Sequence, residues 1–197
     1  MKNIGDYILI LKEFVPENVC EGILNEYNQN IGNFEDQDLK NGLNVYSQKE
    51  FSRFSYTFDT IFQSATFHYI ENIFPECFKS SKIYKKPSDF ECPLLFKNSY
   101  TGFGGEYNID CFDSLTSRRS ISYIVNLGGD NKTTKINFNL LNKDVGVELE
   151  EGSIACFPSN WMFPYKIINE DKDDNYFLIS RSLINETISS VNFNFKF

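Results

Sequence analysis

The order of apolar and polar positions predicts a helical first part of the chain. The segment from Tyr7 to Phe14 is mostly apolar, which predicts a strand. Val19, Ile23 and Leu24 then recur at helical spacing, which predicts a helix that begins near Pro16. A strand followed closely by a helix is therefore the expected opening of the fold.

Two longer segments complete this first part. From Gln29 to Lys49 the composition turns to Asn, Asp, Gln and Gly, which predicts a long loop. From about Phe51 to Phe78 apolar residues again recur at helical spacing, which predicts a second helical region.

Beyond Pro87 the pattern changes to short strands. The runs are β-branched and aromatic and are separated by Gly, Asn, Asp or Pro. They are CPLLFKNSYTGF, RRSISYIVNLG, TTKINFNLL, VGVELEEGSIACF, YKIINE and NYFLISRSLI. Helices followed by many short strands predict an α+β fold, a sandwich or jelly roll with its helices on one side.

Length and composition limit the domain count and the partners. A chain of 197 residues with 41% hydrophobic and 16% aromatic residues favours one packed domain. We predict a single domain, 1–197: a strand, supporting helices and a loop in 1–88, a jelly-roll core in 89–186, and an edge strand or contact tail in 187–197. The net charge of −8 disfavours nucleic acid and anionic lipid as partners.

Cysteine usage and the N-terminus indicate the compartment. The five cysteines are scattered and form no C-x-x-C pair, which favours reduced thiols in a cytoplasm. The opening segment is interrupted by Asp6 and lacks a small-residue cleavage site, so no signal peptide is predicted. No apolar run approaches the length of a membrane span, so no membrane partner is expected.

Several segments, in their order and spacing, resemble one enzyme family. They are ILKEFVPENVCEGIL, NSYTGFGGEY leading to CFDS, RRSISYIVNL, VELEEGSIACFPSNWMFPYKI and NYFLISRSLI. Together they resemble the Fe(II)- and 2-oxoglutarate-dependent oxygenases, particularly the prolyl 4-hydroxylase-like branch of bacteria and phages. The resemblance implies a double-stranded β-helix, the jelly roll of this family, with supporting N-terminal helices.

The family's chemistry rests on an H-x-D pair and a distal histidine that hold Fe(II). Residues two apart on a strand share a face, so the first two ligands both point into the barrel. The facial triad leaves open positions for oxygen and for 2-oxoglutarate, whose far carboxylate is bound by a basic residue beyond the distal histidine.

The chain departs from this pattern at both positions where the family has a histidine ligand. The H-x-D site aligns best with Cys111 and Asp113, and a shifted alignment places Asn108 and Asp110 there instead. Tyr165 stands at the position of the distal histidine. Neither alignment places a histidine in the site.

Other positions complete the comparison. Tyr100 matches the family's co-substrate tyrosine, and Asn175 stands where the basic residue is expected. Arg181 shares a strand face with Asn175 but lies too far along the strand to be a simple substitute. The chain has a single histidine, His68, in the second helical region, so it cannot supply two histidine ligands.

These departures predict a catalytically inactive oxygenase-fold protein, a pseudoenzyme that needs no cofactor. Its function would then lie on its surface, with other proteins or further copies of itself as partners. The Asn- and Ile-rich composition suggests a phage virion component, such as a neck, tail or capsid accessory protein, found in the cytoplasm or the virion. Trp161 and the tail 187–197 are the candidate contact residues.

Two alternatives remain open from the sequence. One is a hydroxylase that uses Fe(II) and 2-oxoglutarate with Cys111, Asp113 and Tyr165 as atypical metal ligands. The other is a non-catalytic binder of a small ligand, to which Tyr100 would donate a hydrogen bond.

Overall fold

The computed structural model describes most of the chain. The described residues are 3–29, 37–39, 43–46, 54–75, 89–91, 93–98, 107–111, 113–114, 116–130, 132–168 and 174–183. The candidate contact tail 187–197 lies outside them.

The first part of the chain is mainly helical and the second part consists of strands. In chain order the elements are a 3-10 helix (Ile4–Tyr7), β1 (Leu9–Leu11), α1 (Glu17–Gln29), β2 (Gln37–Leu39), β3 (Leu43–Tyr46), α2 (Ser55–Ile73), β4 (Asp89–Phe90), β5 (Leu94–Asn98), β6 (Arg119–Gly129), β7 (Thr133–Leu140), β8 (Lys143–Glu150), β9 (Ile154–Pro158), β10 (Tyr165–Ile168) and β11 (Asn175–Leu183).

The strands form two antiparallel sheets. The larger sheet has the order β1-β9-β6-β11-β5-β3-β2, and β4 also pairs with β11. The smaller sheet has the order β10-β7-β8. In its register Tyr165 lies opposite Phe138, and in the larger sheet Arg181 lies opposite Ser122.

The central strands are buried on both faces because each face packs against a different layer. On β6, Tyr123 and Val125 pack with the helices, whereas Ile124 packs with the smaller sheet. The apolar stripes of α1 and α2 cover the first face with Cys20, Ile23, Tyr27, Phe58, Phe62, Ala65, Tyr69 and Ile73. This arrangement confirms the predicted α+β jelly roll with its helices on one side.

The predicted long loop from Gln29 to Lys49 is wrong in part, because it contains the β2–β3 hairpin. Leu39 pairs with Leu43, and β3 pairs in turn with β5, so the hairpin extends the larger sheet. The Asn41-Gly42 dipeptide between the two strands is a strong hairpin signal in the sequence. The polar composition of the flanking residues concealed it.

Two predicted boundaries also differ. The first strand spans only Leu9–Leu11, because a 3-10 helix occupies the residues before it. The second helix is Ser55–Ile73, shorter than the predicted region. Among the described residues, no helix has the length and apolar content needed to cross a membrane.

The segment that leads into α1 is joined to the larger sheet at Gly152. The Val15 backbone N–H donates to the Gly152 carbonyl over 2.8 Å, and the Gly152 N–H donates to the Asn126 carbonyl over 2.9 Å. Gly152 has φ of +74°, and a Cβ there would lie 2.5 Å from the Val15 carbonyl oxygen. Only glycine fits this position without a backbone shift.

We expect Gly152→Ala to lower the free energy of unfolding by about 2 kcal/mol, because it combines a positive φ with a backbone clash. Gly22→Ala in α1 is the matched control. Its Cβ would lie 3.5 Å from the Phe54 ring, an ordinary contact, and alanine favours the helix by up to about 1 kcal/mol. Urea unfolding of the two variants measures the difference, and equal stabilities would contradict this account of Gly152.

Candidate functional site

The site forms where the segment before β6 meets the start of β10. The Asn108 N–H donates to the Tyr165 carbonyl over 2.7 Å, and the Tyr165 N–H donates to the Asn108 carbonyl over 3.0 Å. This isolated antiparallel bridge brings Asp110, which is only 5% exposed, next to the buried Tyr165 side chain. A carboxylate is thereby held inside the protein.

Three side chains donate hydrogen bonds to the Asp110 carboxylate. Arg181 Nη2 lies 2.5 Å from Oδ1, and the Tyr165 hydroxyl lies 3.3 Å from the same oxygen. The Ser122 hydroxyl lies 2.5 Å from Oδ2 and is 2.6 Å from the Ser159 hydroxyl. Both carboxylate oxygens of Asp110 are therefore already bound by protein donors.

Strand register places these donors. Arg181 on β11 lies directly opposite Ser122 on β6, so their side chains share one face of the larger sheet. Phe177 and Ile179 precede Arg181 at two-residue spacing and belong to the core between the sheets. Arg181 therefore enters the interior at one end of an otherwise apolar strand face.

A second ion pair borders the first. Arg119 Nε lies 2.6 Å from Glu91 Oε1, and Arg119 Nη1 donates to the Asp110 carbonyl over 2.6 Å. Glu91 Oε2 lies 3.8 Å from Arg181 Nη1. We call Glu91, Asp110, Arg119 and Arg181 the charge network; its two carboxylates balance its two guanidinium groups.

The surroundings change the pKa of two members of the site. Burial raises the pKa of Tyr165 above its usual range, and the adjacent Asp110 carboxylate raises it further. Burial alone would lower the pKa of Arg181, but Tyr165, Asp110 and Glu91 outweigh that effect and the pKa of Arg181 is raised. Tyr165 is thus a neutral phenol and Arg181 a fixed cation.

Aromatic rings fill the interior beside the charge network. The Tyr165 ring centroid lies 5.1 Å from that of Phe157 and 6.4 Å from that of Phe138, and the latter two are 4.9 Å apart. Phe96 and Phe177 stack in parallel with centroids 5.5 Å apart. These five rings pack between the two sheets.

Solved structures with a similar architecture include prolyl hydroxylases. A prolyl 4-hydroxylase from Pseudomonas putida aligns with a TM-score of 0.62 and 13% identity over 91% of this chain and 94% of its own. The viral collagen prolyl hydroxylase of Paramecium Bursaria Chlorella virus-1 aligns with a TM-score of 0.59 and 12% identity over 90% of this chain and 96% of its own. The chain has the prolyl hydroxylase fold.

A prolyl hydroxylase from Trichoplax adhaerens, solved with a hypoxia inducible factor peptide, aligns with a TM-score of 0.61 and 11% identity over 90% of this chain and 84% of its own. No protein-family model and no curated protein matches the sequence. The double-stranded β-helix predicted from the resemblance is confirmed.

The structure separates the two carboxylates that compete for the H-x-D position of the prolyl hydroxylase fold. Asp110 lies with Tyr165 in the interior, whereas Asp113 is exposed. Asp113 Oδ1 accepts from both the backbone N–H and the hydroxyl of Thr116, each over 2.8 Å, as in a local turn cap. Cys111 is half-buried with a free thiol.

The other positions singled out in the sequence lie apart from Asp110 or outside the described residues. Asn175 is buried at the start of β11, opposite Gly129. His68 lies on α2, with its ring edge-on to Phe14 and Phe67. Tyr100 falls outside the described residues.

Sequence reasoning identifies only half of the charge network. It includes Asp110 through an alignment and Arg181 only in relation to the co-substrate anchor, whereas Glu91 and Arg119, and the neighbouring Ser122, are not singled out. The signal that identifies them is polar residues inside apolar strands, as in RRSISY and LISRSL. Arginine and serine on a strand buried on both faces require polar partners in the interior.

The donors at the site differ from those of a non-haem iron centre. Such a centre takes two imidazoles and one carboxylate with open positions. Here the residues whose backbones pair beside Asp110 are the exposed Asn108 and the buried phenol Tyr165, and Arg181 already neutralises the carboxylate. Within the described ranges, no three His, Cys, Asp or Glu side chains are grouped as a metal site.

We expect Asp110→Asn to lower the free energy of unfolding by about 3 kcal/mol, because Arg181 then keeps a buried charge without its carboxylate. Asp113→Asn is the control. Asparagine accepts the same cap hydrogen bonds as aspartate, so its loss is about 0.5 kcal/mol or less. Urea unfolding at neutral pH compares them, and a larger loss for Asp113→Asn would show that Asp110 is not the central carboxylate.

Proposed function

We propose that this chain uses the prolyl hydroxylase fold as a catalytically inactive structural or interaction module. The observation that carries the proposal is the identity of the residues at the bridge. The backbones of Asn108 and Tyr165 pair beside Asp110, neither residue is a histidine, and the only histidine of the chain lies on α2. Without two imidazoles, the facial triad on which oxygen activation in this fold depends has no counterpart.

The packing of the interior gives independent support. A co-substrate needs a cavity with convergent polar groups. Between the sheets, Tyr165 instead packs on Phe157 and Phe138, and Phe96 stacks on Phe177. These rings occupy the space with core contacts, which favours a structural interior over an open site.

Anaerobic calorimetry and thermal melting with Fe(II) or Mn(II), each with and without 2-oxoglutarate, test catalytic inactivity. A ligand that binds only the folded state stabilises it and so raises the melting temperature. At a ligand concentration one hundred times the dissociation constant, the free energy of unfolding increases by about 2.7 kcal/mol. We expect no binding heat and no melting shift. The Asp110→Asn variant serves as the control for adventitious surface binding.

Two results would favour the alternatives. A 2-oxoglutarate-dependent shift with turnover, abolished by Asp113→Ala, would favour a hydroxylase with the atypical ligands Cys111, Asp113 and Tyr165. A shift with 2-oxoglutarate alone, without metal or turnover, would favour a binder of small anions. Either result would overturn the proposed inactive module.

The turn between β9 and β10 presents a candidate contact surface for such a module. The Phe163 N–H donates to the Asn160 carbonyl over 3.0 Å, and the Met162 N–H donates to Asn160 Oδ1 over 2.9 Å. Phe163 is buried, but Trp161 is 67% exposed and Met162 is 37% exposed. Trp and Met are enriched in protein interfaces, and a fixed turn lowers the entropy lost on binding.

We propose that this turn contacts another copy of the chain or another structural protein. A place in a virion, as a neck, tail or capsid accessory component, is supported by the Asn- and Ile-rich composition of the chain. The partner role itself is supported by the exposed Trp161 and Met162 side chains.

Trp161→Ala is expected to weaken self-association or partner binding about thirty-fold, the loss typical of an interface hot spot. Tyr56→Ala is the matched control, since Tyr56 is an aromatic residue that is 81% exposed on α2. Light scattering over a concentration series, with purified structural proteins as candidate partners, provides the measurement. A monodisperse monomer that binds none of them, or equal losses for the two variants, would contradict the proposal.

A further inference from the structure

The charge of Asp110 requires a cation, and the structure supplies one from the protein. In the family that the sequence resembles, the aspartate of the H-x-D pair binds the metal ion, and the shifted alignment places Asp110 at that position. Here Arg181 Nη2 lies 2.5 Å from Asp110 Oδ1, and both groups are at least nine-tenths buried. A buried carboxylate is tolerated only when it is paired and hydrogen-bonded, and this contact meets both conditions.

The pair also joins the two sheets. Arg181 belongs to β11 at the centre of the larger sheet, and Asp110 lies on the segment that bridges to β10 of the smaller sheet. Ser122 and Tyr165 add one hydrogen bond from each sheet to the same carboxylate. A metal ion held by ligands from several strands would cross-link them in the same way.

The guanidinium of Arg181 makes a close contact with one carboxylate, but it does not use all of its hydrogen-bond donors. Its Nη1 lies 3.8 Å from Glu91 Oε2, beyond hydrogen-bond distance, and its buried Nε has no hydrogen-bond partner in the described structure. Its position is therefore explained mainly by the charge of Asp110, with Glu91 farther away.

From this geometry we infer that Arg181 takes the place of the metal cation in this fold. It is an internal cation that neutralises Asp110 and cross-links the two sheets. The inference rests on the proposed inactive site and adds the group that replaced the metal. Restoring the two histidines alone will then not restore a metal site, because Arg181 still neutralises the carboxylate and repels a divalent ion.

The test rebuilds the site with and without the internal cation. One variant carries Asn108→His and Tyr165→His, and a second carries these changes together with Arg181→Met. Anaerobic calorimetry with Mn(II) measures the affinity of each, and circular dichroism checks that each is folded. Removing a unit charge near the metal position is expected to raise the Mn(II) affinity at least about ten-fold. Equal affinities, or binding only when Arg181 is retained, would overturn the inference.

A thermal-melting cycle tests the same inference if the rebuilt variants do not fold. Asp110→Asn and Arg181→Met are each expected to lower the melting temperature by about 10 °C, since each leaves a buried group without its partner. The double variant is expected to lose clearly less than the sum of the two shifts, because no unpaired charge remains. Additive shifts would overturn the inference.

The half-buried pair of Lys97 and Asp174, 2.7 Å apart, is the matched control for this cycle. Lys97→Met and Asp174→Asn are expected to shift the melting temperature little and additively, because the pair is partly solvated. Turnover of 2-oxoglutarate by the unaltered chain would overturn the proposed function. Mn(II) affinities that do not change when Arg181 is replaced, or additive melting shifts, would overturn only the inference about Arg181.

Discussion

The buried contact between Arg181 and Asp110 is the constraint around which one end of the molecule is arranged. Each ion costs several kcal/mol to remove from water, and only good geometry with further hydrogen bonds offsets that cost. Ser122 and Tyr165 therefore have to donate to the same carboxylate, and Arg119 has to bind the Asp110 carbonyl and Glu91. A polar cluster of this size explains why the central strands carry serine and arginine among apolar residues.

The space between the two sheets thus has two distinct ends. One end is aromatic, with the Phe138 and Phe157 rings in contact, and the other holds the charge network, whose formal charges cancel. Tyr165 joins the two, because its ring packs on Phe157 and its hydroxyl donates to Asp110. The sheets themselves are held by backbone pairing and by the apolar residues on both faces of β6. A fold built in this way can keep its two sheets while the polar side chains between them change.

Sequence patterns predicted the helices and strands better than the polar contacts inside the protein. Period-two alternation and turn residues identify β5 to β11, and helical spacing identifies α1 and α2, because these signals are local. The β2–β3 hairpin was missed, since polar residues around Asn41-Gly42 resemble an irregular loop. Sequence composition has little power to tell a polar hairpin from a loop.

The site was only partly predictable because its contacts are distant in sequence. Tyr165 was identified from its place in the resemblance, and Asp110 entered as one of two alignments. Arg181 and Asp110 are separated by 71 positions, and their meeting depends on the register of β6 against β11. No local motif encodes that register, so the partner of a charged residue inside a strand is found only in three dimensions.

The pairing of β1 with β9 constrains how the chain reaches its folded state. Leu9 lies opposite Cys156, so two segments far apart in the sequence form one edge of the larger sheet. During synthesis β1 has no pairing partner until β9 has left the ribosome. Contacts of such long sequence separation slow folding and leave apolar strand edges exposed meanwhile.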